Sequence, residues 1–301
     1  MPRTPPTHVL AHLSDLHLRP ASDPLVGGVV DADARLRRAI GVLSSWDVAC
    51  DAWLFTGDLS DTGDAETYVR LRELVLPAAA ASGTQAIWAN GNHDDLATLR
   101  RVLLNELDAD ARPGPGAGGP ASDPAGPLNR EYDLRGLRLI TLDSCVPGAT
   151  HGRVADASLD WLAGRLATPA PHGTILALHH PPVPPVQDAA GLWDLRNAGA
   201  VASVIAGSDV RLVIGGHFHQ TSFTTLAGVP VAAASSLVYT QDITAGRTLR
   251  GQDTHVGFNL VEVYPERMVV TAVQLDAGAG VHDVLTTVDA RARLAEGGSA
   301  S

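Results

Sequence analysis

At 301 residues, with 45% hydrophobic and 18% charged side chains, the chain can bury a sizeable core, and its composition is neither disordered nor membrane-embedded. The net charge is −11 and all 22 basic residues are arginine, so an acidic surface works against binding a long polyanion such as duplex DNA. Met1-Pro2-Arg3-Thr4-Pro5-Pro6 lacks the apolar core of a signal peptide and no apolar run approaches a membrane span, so a soluble cytoplasmic protein without a membrane partner is expected.

Apolar runs predict strands at Val9–Leu13, Ala52–Thr56, Gln85–Trp88, Leu137–Leu142, Thr174–Leu178 and Val210–Ile214. Between them, Leu36, Ile40 and Leu43, then Tyr68, Leu71 and Val75, then Leu159, Leu162 and Leu166 recur at helical spacing. Asp156, three residues before Leu159, is the expected N-cap of the third helix. Strands alternating with helices argue for an α/β domain.

Residues 112–127 are rich in Pro, Gly, Ala and Ser and read as a surface loop, with the strand pattern resuming at Glu131. Near the C-terminus, Ser222–Leu226, Val229–Ala233, Phe258–Tyr264 and Arg267–Val273 read as strands. Ala227-Gly228 and Pro265-Glu266 are short enough to join them as two hairpins, which predicts a second, partly antiparallel sheet facing the first. One domain over residues 1–290 and a frayed tail at 291–301 are expected. Cys50 and Cys145 make no disulfide framework or zinc spacing, and two reduced, buried thiols are expected.

Chemistry-bearing residues cluster at the ends of these runs. Asp15-Leu16-His17 follows the first; side chains two apart in a strand point the same way, so both can face one ion, although a capping Asp and a solvated His explain the pair about as often. Asp58 follows Gly57 after the second, where a turn carboxylate is the common reading. A carboxylate can hold one ion with each oxygen, which makes Asp58 the expected bridge between two metals. Asn92 and His93 follow the third run, in Gly91-Asn92-His93-Asp94. An amide oxygen is a neutral, hard ligand, while His93 points away from Asn92 and is assigned to the substrate phosphate and leaving-group oxygen.

After the fifth run come His179 and His180, stopped by Pro181-Pro182; adjacent side chains diverge, and spacing leaves both open as ligands. After the sixth, Gly215-Gly216-His217-Phe218-His219 repeats the two-apart geometry, with glycines that permit close backbone approach. Each motif alone has a structural explanation. Together, at strand ends of an α/β sheet where ligands bind, they predict a metal site.

The order D-x-H, G-D, G-N-H-D, H, G-H-x-H resembles the calcineurin-like metallophosphoesterases. His12-Leu13-Ser14-Asp15-Leu16-His17, Phe55-Thr56-Gly57-Asp58-Leu59-Ser60-Asp61, Leu178-His179-His180-Pro181-Pro182 and Gly215-Gly216-His217-Phe218-His219 are similar to their bacterial class III cyclic-nucleotide phosphodiesterase branch, of actinobacterial, mycobacterial type, over about Thr7 to Leu275. The resemblance implies a four-layer αββα sandwich of two mixed β-sheets flanked by helices, and a dinuclear centre of iron, manganese or zinc. It implies Asp15, His17, Asp58 and His219 on one ion and Asp58, Asn92, His179 and His217 on the other, choosing His179 over His180. It also implies a homodimer. His151 matches a substrate-contacting loop histidine, against a solvated loop His as the plain alternative. The 112–127 loop is longer than in close relatives. Asp143 is open as a carboxylate behind a ligand histidine or as a strand-end turn.

The expected reaction is hydrolysis of a small phosphodiester, with 3′,5′-cyclic AMP giving 5′-AMP or 2′,3′-cyclic nucleotides as substrate. Two ions clamp the phosphoryl group and activate water, and His93 protonates the leaving oxygen. Glycerophosphodiesters or other small phosphodiesters are the rival substrates, a non-catalytic scaffold the rival class. Asp61-Thr62-Gly63, in place of Asp-Arg-Gly, argues against a Ser/Thr protein phosphatase.

Overall fold

The strand His8–Leu13 (β1) is buried along its whole length, and so is Ala52–Thr56 (β2), as continuous apolar runs require when a parallel strand is covered on both faces. The computed structural model describes residues 5–106, 126–246, 248–275 and 288–289. The remaining major strands are Gln85–Ala89 (β3), Arg130–Leu134 (β4), Leu137–Thr141 (β5), Thr174–Ala177 (β6), Val210–Gly215 (β7), Ser222–Leu226 (β8), Val229–Ala233 (β9), Gly257–Val263 (β10) and Met268–Gln274 (β11). They form two mixed sheets, ordered β11-β10-β1-β2-β3 and β8-β9-β7-β6-β5-β4. In the first, β1, β2 and β3 run parallel and the β10–β11 hairpin joins β1 antiparallel; in the second, β9, β7, β6 and β5 run parallel and the two edge strands, β8 and β4, are antiparallel.

Alternation along the strands divides their side chains between three cores. Leu10, Leu54 and Ile87 from one sheet meet Leu139, Ile175 and Ile214 from the other. On its outer face the first sheet turns Leu13, Trp53 and Phe55 to helices Ala32–Ser45 (α1) and Ala65–Ala81 (α2), through Leu36, Tyr68 and Leu71. The second turns Ile140, Leu176 and Val213 to Asp156–Leu166 (α3) and Ala198–Ile205 (α4), through Leu162, Val201 and Ile205. The order of layers is therefore helix, sheet, sheet, helix, as expected of an αββα sandwich.

Several local expectations need correction. Both C-terminal hairpins form, but they do not make up one new sheet: β8–β9 extends the second sheet beside β7, while β10–β11 returns to the first beside β1. A hairpin turn fixes its own pairing and carries no information about which distant edge receives it. Asp156 is the first residue of α3 rather than its cap; the cap is Ala155, without a side-chain bond. Asp31 and Asp64 do cap α1 and α2, accepting from Ala34 N and Thr67 N. Cys50 is buried, whereas Cys145 is half-buried; both are free. Of the 112–127 loop only Gly126 and Pro127 are described, and the 291–301 tail lies outside the described residues.

Candidate metal centre

The carboxyl ends of β1, β2, β3, β6 and β7 open on one rim, and the chain turns sharply as it leaves three of them. Asp15, His17, Asp58, His217 and His219 all have left-handed backbones, with φ of 55°, 42°, 49°, 68° and 53°. That conformation is uncommon for residues with a side chain and clusters at functional sites where the surroundings enforce it. Here the enforcement is visible: Asp15 N donates to Gly57 O, His17 N to Asp58 O, and His217 N to the Asp15 carboxylate. Gly91 and Gly216 let these turns touch, since a Cβ on Gly91 would strike Asp58 and one on Gly216 would strike Ser14 and Asp15.

The structure brings Asp15, His17, Asp58, Asn92, His179, His217 and His219 together. Nε2 of His17 lies 3.1 Å from Nε2 of His219, and Nε2 of His179 lies 3.2 Å from Nδ1 of His217 and 3.1 Å from Asn92 Oδ1. Each ring uses its other nitrogen outward: His17 Nδ1 on Asp61 Oδ1, His179 Nδ1 on Thr56 O, His217 Nε2 on Trp193 O and His219 Nδ1 on Tyr239 O. Carbonyl oxygens only accept, so the outer nitrogens carry the hydrogens and a neutral ring turns a lone pair inward. Two sets of lone pairs converge at hydrogen-bond distance with too few protons between them. Such a donor set fits cations.

Asp58 stands between the two sets. Its Oδ2 is 3.6 Å from His17 Nε2 and 3.4 Å from His179 Nε2. Its Oδ1 accepts the amide of His93 at 2.9 Å. The His93 amide donates to Oδ1, and Oδ2 lies within reach of both groups.

Burial works to raise the carboxyls of Asp15 and Asp58, but His219 beside the first and His179 beside the second hold both well below the usual carboxylate range. Burial likewise opposes charge on His179, yet Asp58 outweighs it and raises it to about 9, so the cluster favours positive charge beside Asp58. His217 is pushed down to about 3 by burial and by His179.

His179 and His180 turn to different partners. His179 points at Asp58, while His180 puts Nδ1 on Ser144 Oγ at 2.9 Å and Nε2 on Thr150 O at 3.2 Å. His93 is exposed at the mouth, its Nδ1 3.0 Å from Asp61 O, which leaves Nε2 for a ligand. Burial lowers its basicity, but Asp58 and Asp61 outweigh that and raise it. The cleft above has a volume of about 320 Å³ and is lined by Asn92, His93 and Thr150 among others; His151 is half-buried and its neighbour Thr150 does the lining. Asp143 is not behind a ligand histidine. It accepts from Asn90 Nδ2, Leu128 N and Cys145 N, as a strand-end turn carboxylate.

Two carboxylates were passed over in the sequence although both sit inside the recognised motifs. Asp61 orients His17, and Asp94 gathers the amides of Leu59, Ser60 and Gly91 with the Tyr68 hydroxyl, tying the Asp58 turn to the Asn92 turn. The carbonyls of Thr56, Trp193 and Tyr239 had no signal at all, since every residue has one.

Two mixed sheets with this cluster at their common rim define a metal-dependent phosphoesterase, and the chain belongs to the calcineurin-like phosphoesterase family, which it matches over residues 8–221. It is 44% identical over 296 residues to a probable cyclic nucleotide phosphodiesterase of Rhodococcus erythropolis, covering 97% of this chain and 92% of that one. It is also 44% identical over 295 residues to a cAMP/cGMP dual specificity phosphodiesterase of Mycobacterium tuberculosis, covering 97% and 87%. In fold it is similar to a dimetal phosphatase from Danio rerio, with a TM-score of 0.61 at 15% identity over 90% of this chain and 97% of that one. Among the described residues no helix is long and apolar enough to cross a membrane.

Proposed function

We propose that this chain is a phosphodiesterase that hydrolyses 3′,5′-cyclic nucleotides, with 2′,3′-cyclic nucleotides as further substrates, at a dinuclear metal centre. The observation that carries the reading is the pair of converging imidazole sets with Asp58 Oδ2 between them. Asp15, His17, Asp58 and His219 would hold one ion, and Asp58, Asn92, His179 and His217 the other. When bound, the ions supply Lewis-acid charge for the phosphoryl oxygens and make water a competent nucleophile near neutral pH.

The chain's own groups do the rest. Asn92 and His93 face the phosphate at the cleft mouth. Water attacks phosphorus in line with the 3′-oxygen; the new P–O bond forms as the P–O3′ bond breaks, and His93 delivers the proton that the departing alkoxide needs. Such a proton transfer contributes about 10²–10⁴ in rate. The cleft suits a molecule of nucleotide size, and the acidic surface disfavours long nucleic acid. Iron, manganese or zinc suits the mixed N/O donors. The relatives' names support the substrate class.

The same reading carries one domain over residues 1–290, a cytoplasmic location and a homodimer, with His151 near the substrate. Purified, manganese-loaded protein would be tested on 3′,5′- and 2′,3′-cyclic nucleotides, glycerophosphodiesters and single-stranded DNA, with metal analysis and sedimentation alongside. Faster turnover of glycerophosphodiesters than of every cyclic nucleotide would overturn the substrate class. No turnover of bis(4-nitrophenyl) phosphate by metal-loaded protein would return the chain to the scaffold reading.

A further inference from the structure

The metal cleft adjoins a second cavity. Tyr239 and Gly251 line the cleft, and the same two residues line a space of about 350 Å³ beside it. Most of the remaining wall comes from the hairpin in which Leu25–Val26 pairs with Val30–Asp31, through Val26, Val29 and Val30. Gly27 and Gly28 take left-handed backbones, with φ of 58° and 73°, so this hairpin turns tightly and leaves Val29 at its rim, 75% exposed. The ridge between the two spaces is low. Tyr239 is half-buried, its ring packed on the His219 ring with centroids 4.2 Å apart. Gly251 is exposed, and its backbone is not left-handed, so conformation alone does not demand glycine there. A Cβ on Gly251 would stand 3.2 Å from Tyr239 Cδ2 and 3.5 Å from Cε2, tighter than ordinary contact. A side chain at this position would crowd Tyr239 and raise the ridge.

The two spaces differ in chemistry. The cleft holds the cation-seeking cluster and so takes the phosphate. The lining of the second cavity is mostly apolar. Its two polar side chains are engaged: Gln252 Nε2 donates to Thr240 Oγ1 at 3.3 Å, and Asp253 pairs with Arg35. An apolar wall with few polar groups suits an uncharged group, and the Asp253 carboxylate repels an anion. The phosphate end of a ligand is therefore kept on the metal side, and only its uncharged end suits the space beyond Gly251.

We infer that this cavity is the subsite for the nucleobase of the substrate, which crosses the ridge at Gly251 and is covered at the rim by Val29. This rests on the cyclic-nucleotide reading above and adds where the base is held and by what, namely burial of apolar surface. The base lies away from the reacting bond, so its burial is the same in ground state and transition state. Binding of that kind sets KM and leaves kcat alone.

A substrate-and-enzyme cycle tests it. kcat and KM are measured for 3′,5′-cyclic AMP and for the 3′,5′-cyclic phosphate of 1-deoxyribose, which keeps the scissile bond and has no base. Wild type should favour cyclic AMP by about tenfold in kcat/KM, as burial of part of one base face gives, with the difference carried by KM. Val29→Asp puts a carboxylate at the rim, and Gly251→Val raises the ridge. Each should bring the ratio close to one through a higher KM for cyclic AMP. Both rates come from the same protein, so lost folding or metal cancels in the ratio and a damaged variant cannot imitate the result. A wild-type ratio near one, or a ratio that both variants leave unchanged, would overturn this inference alone. Wild type that cleaves bis(4-nitrophenyl) phosphate but neither cyclic substrate would overturn the cyclic-nucleotide reading, and this inference with it.

Discussion

Asp61 Oδ1 stands 3.0 Å from Nδ1 of His17, on the side of the ring away from Asp58, while Asp61 Oδ2 pairs with Arg19. The carboxylate fixes the tautomer that turns Nε2 inward and makes that nitrogen more basic. Asp61→Asn should weaken metal binding about 10- to 100-fold, the usual effect of removing such a partner. Competitive titration with a chromogenic chelator would measure it; unchanged affinity would mean that His17 needs no orienting partner.

Asp58→Ala removes the group that both sets share, so both ions and nearly all turnover should be lost. The same substitution should abolish the metal-induced rise in melting temperature. For wild type, each ion at about a hundred times its Kd contributes about 2.7 kcal/mol, or about 4 °C for a chain of this size. Elemental analysis still giving two ions per chain would contradict the bridging role.

His93 is assigned to the leaving group, so His93→Ala should keep the metals and slow cyclic AMP more than a nitrophenyl ester. A nitrophenolate departs without a proton, whereas a ribose alkoxide needs one. The expected difference between the two substrates is about 10²-fold or more. Equal losses on both would remove the proton-donor role.

Asp94 offers a pH test. Desolvation and the charge of Asp58 push its carboxyl from the ordinary 3.8 up to about 6, so the folded chain holds a proton there that the unfolded chain releases earlier. The sign follows from linkage: this group's contribution to stability is full below about pH 4 and declines as pH rises through about 6. In metal-free protein, Asp94→Asn should flatten that decline. It should also lower stability throughout by about 1–3 kcal/mol, because an amide cannot accept from both backbone turns. Parallel melting curves for the two proteins from pH 4 to 7 would refute the assignment.

Gly216→Ala should disturb the site without replacing a candidate ligand, since its methyl would collide with Ser14 and push on the Asp15 carboxylate. Reduced metal occupancy with a largely retained circular dichroism spectrum is the expected result. Full occupancy would show that the turn after β7 can give way.

Much of this was legible in the chain. Asp15 and His17, or His217 and His219, lie two apart after an apolar run, which marks them as candidates, although left-handed turns beyond the strand ends, not strand alternation, bring each pair together. Chain order gave the candidate ligands, and the helical spacing around Leu36 and Tyr68 gave the outer helices of the first sheet. The division of labour between His179 and His180 was not legible from spacing, because it depends on Ser144 and Thr150 arriving from another loop. Nor was the posture of Asp58, whose Oδ1 is claimed by an amide 35 residues away.

The sequence by itself determined the local elements, the identity of the metal-seeking groups and the strand ends that carry them, because periodicity and turn chemistry act over a few residues. Only the tertiary structure decided which edge each hairpin joined, which nitrogen of each imidazole faces inward, and which carbonyls and carboxylates stand behind it. Those are contacts between segments far apart in the chain, and they are set by how two sheets pack, a property that no short stretch of residues contains.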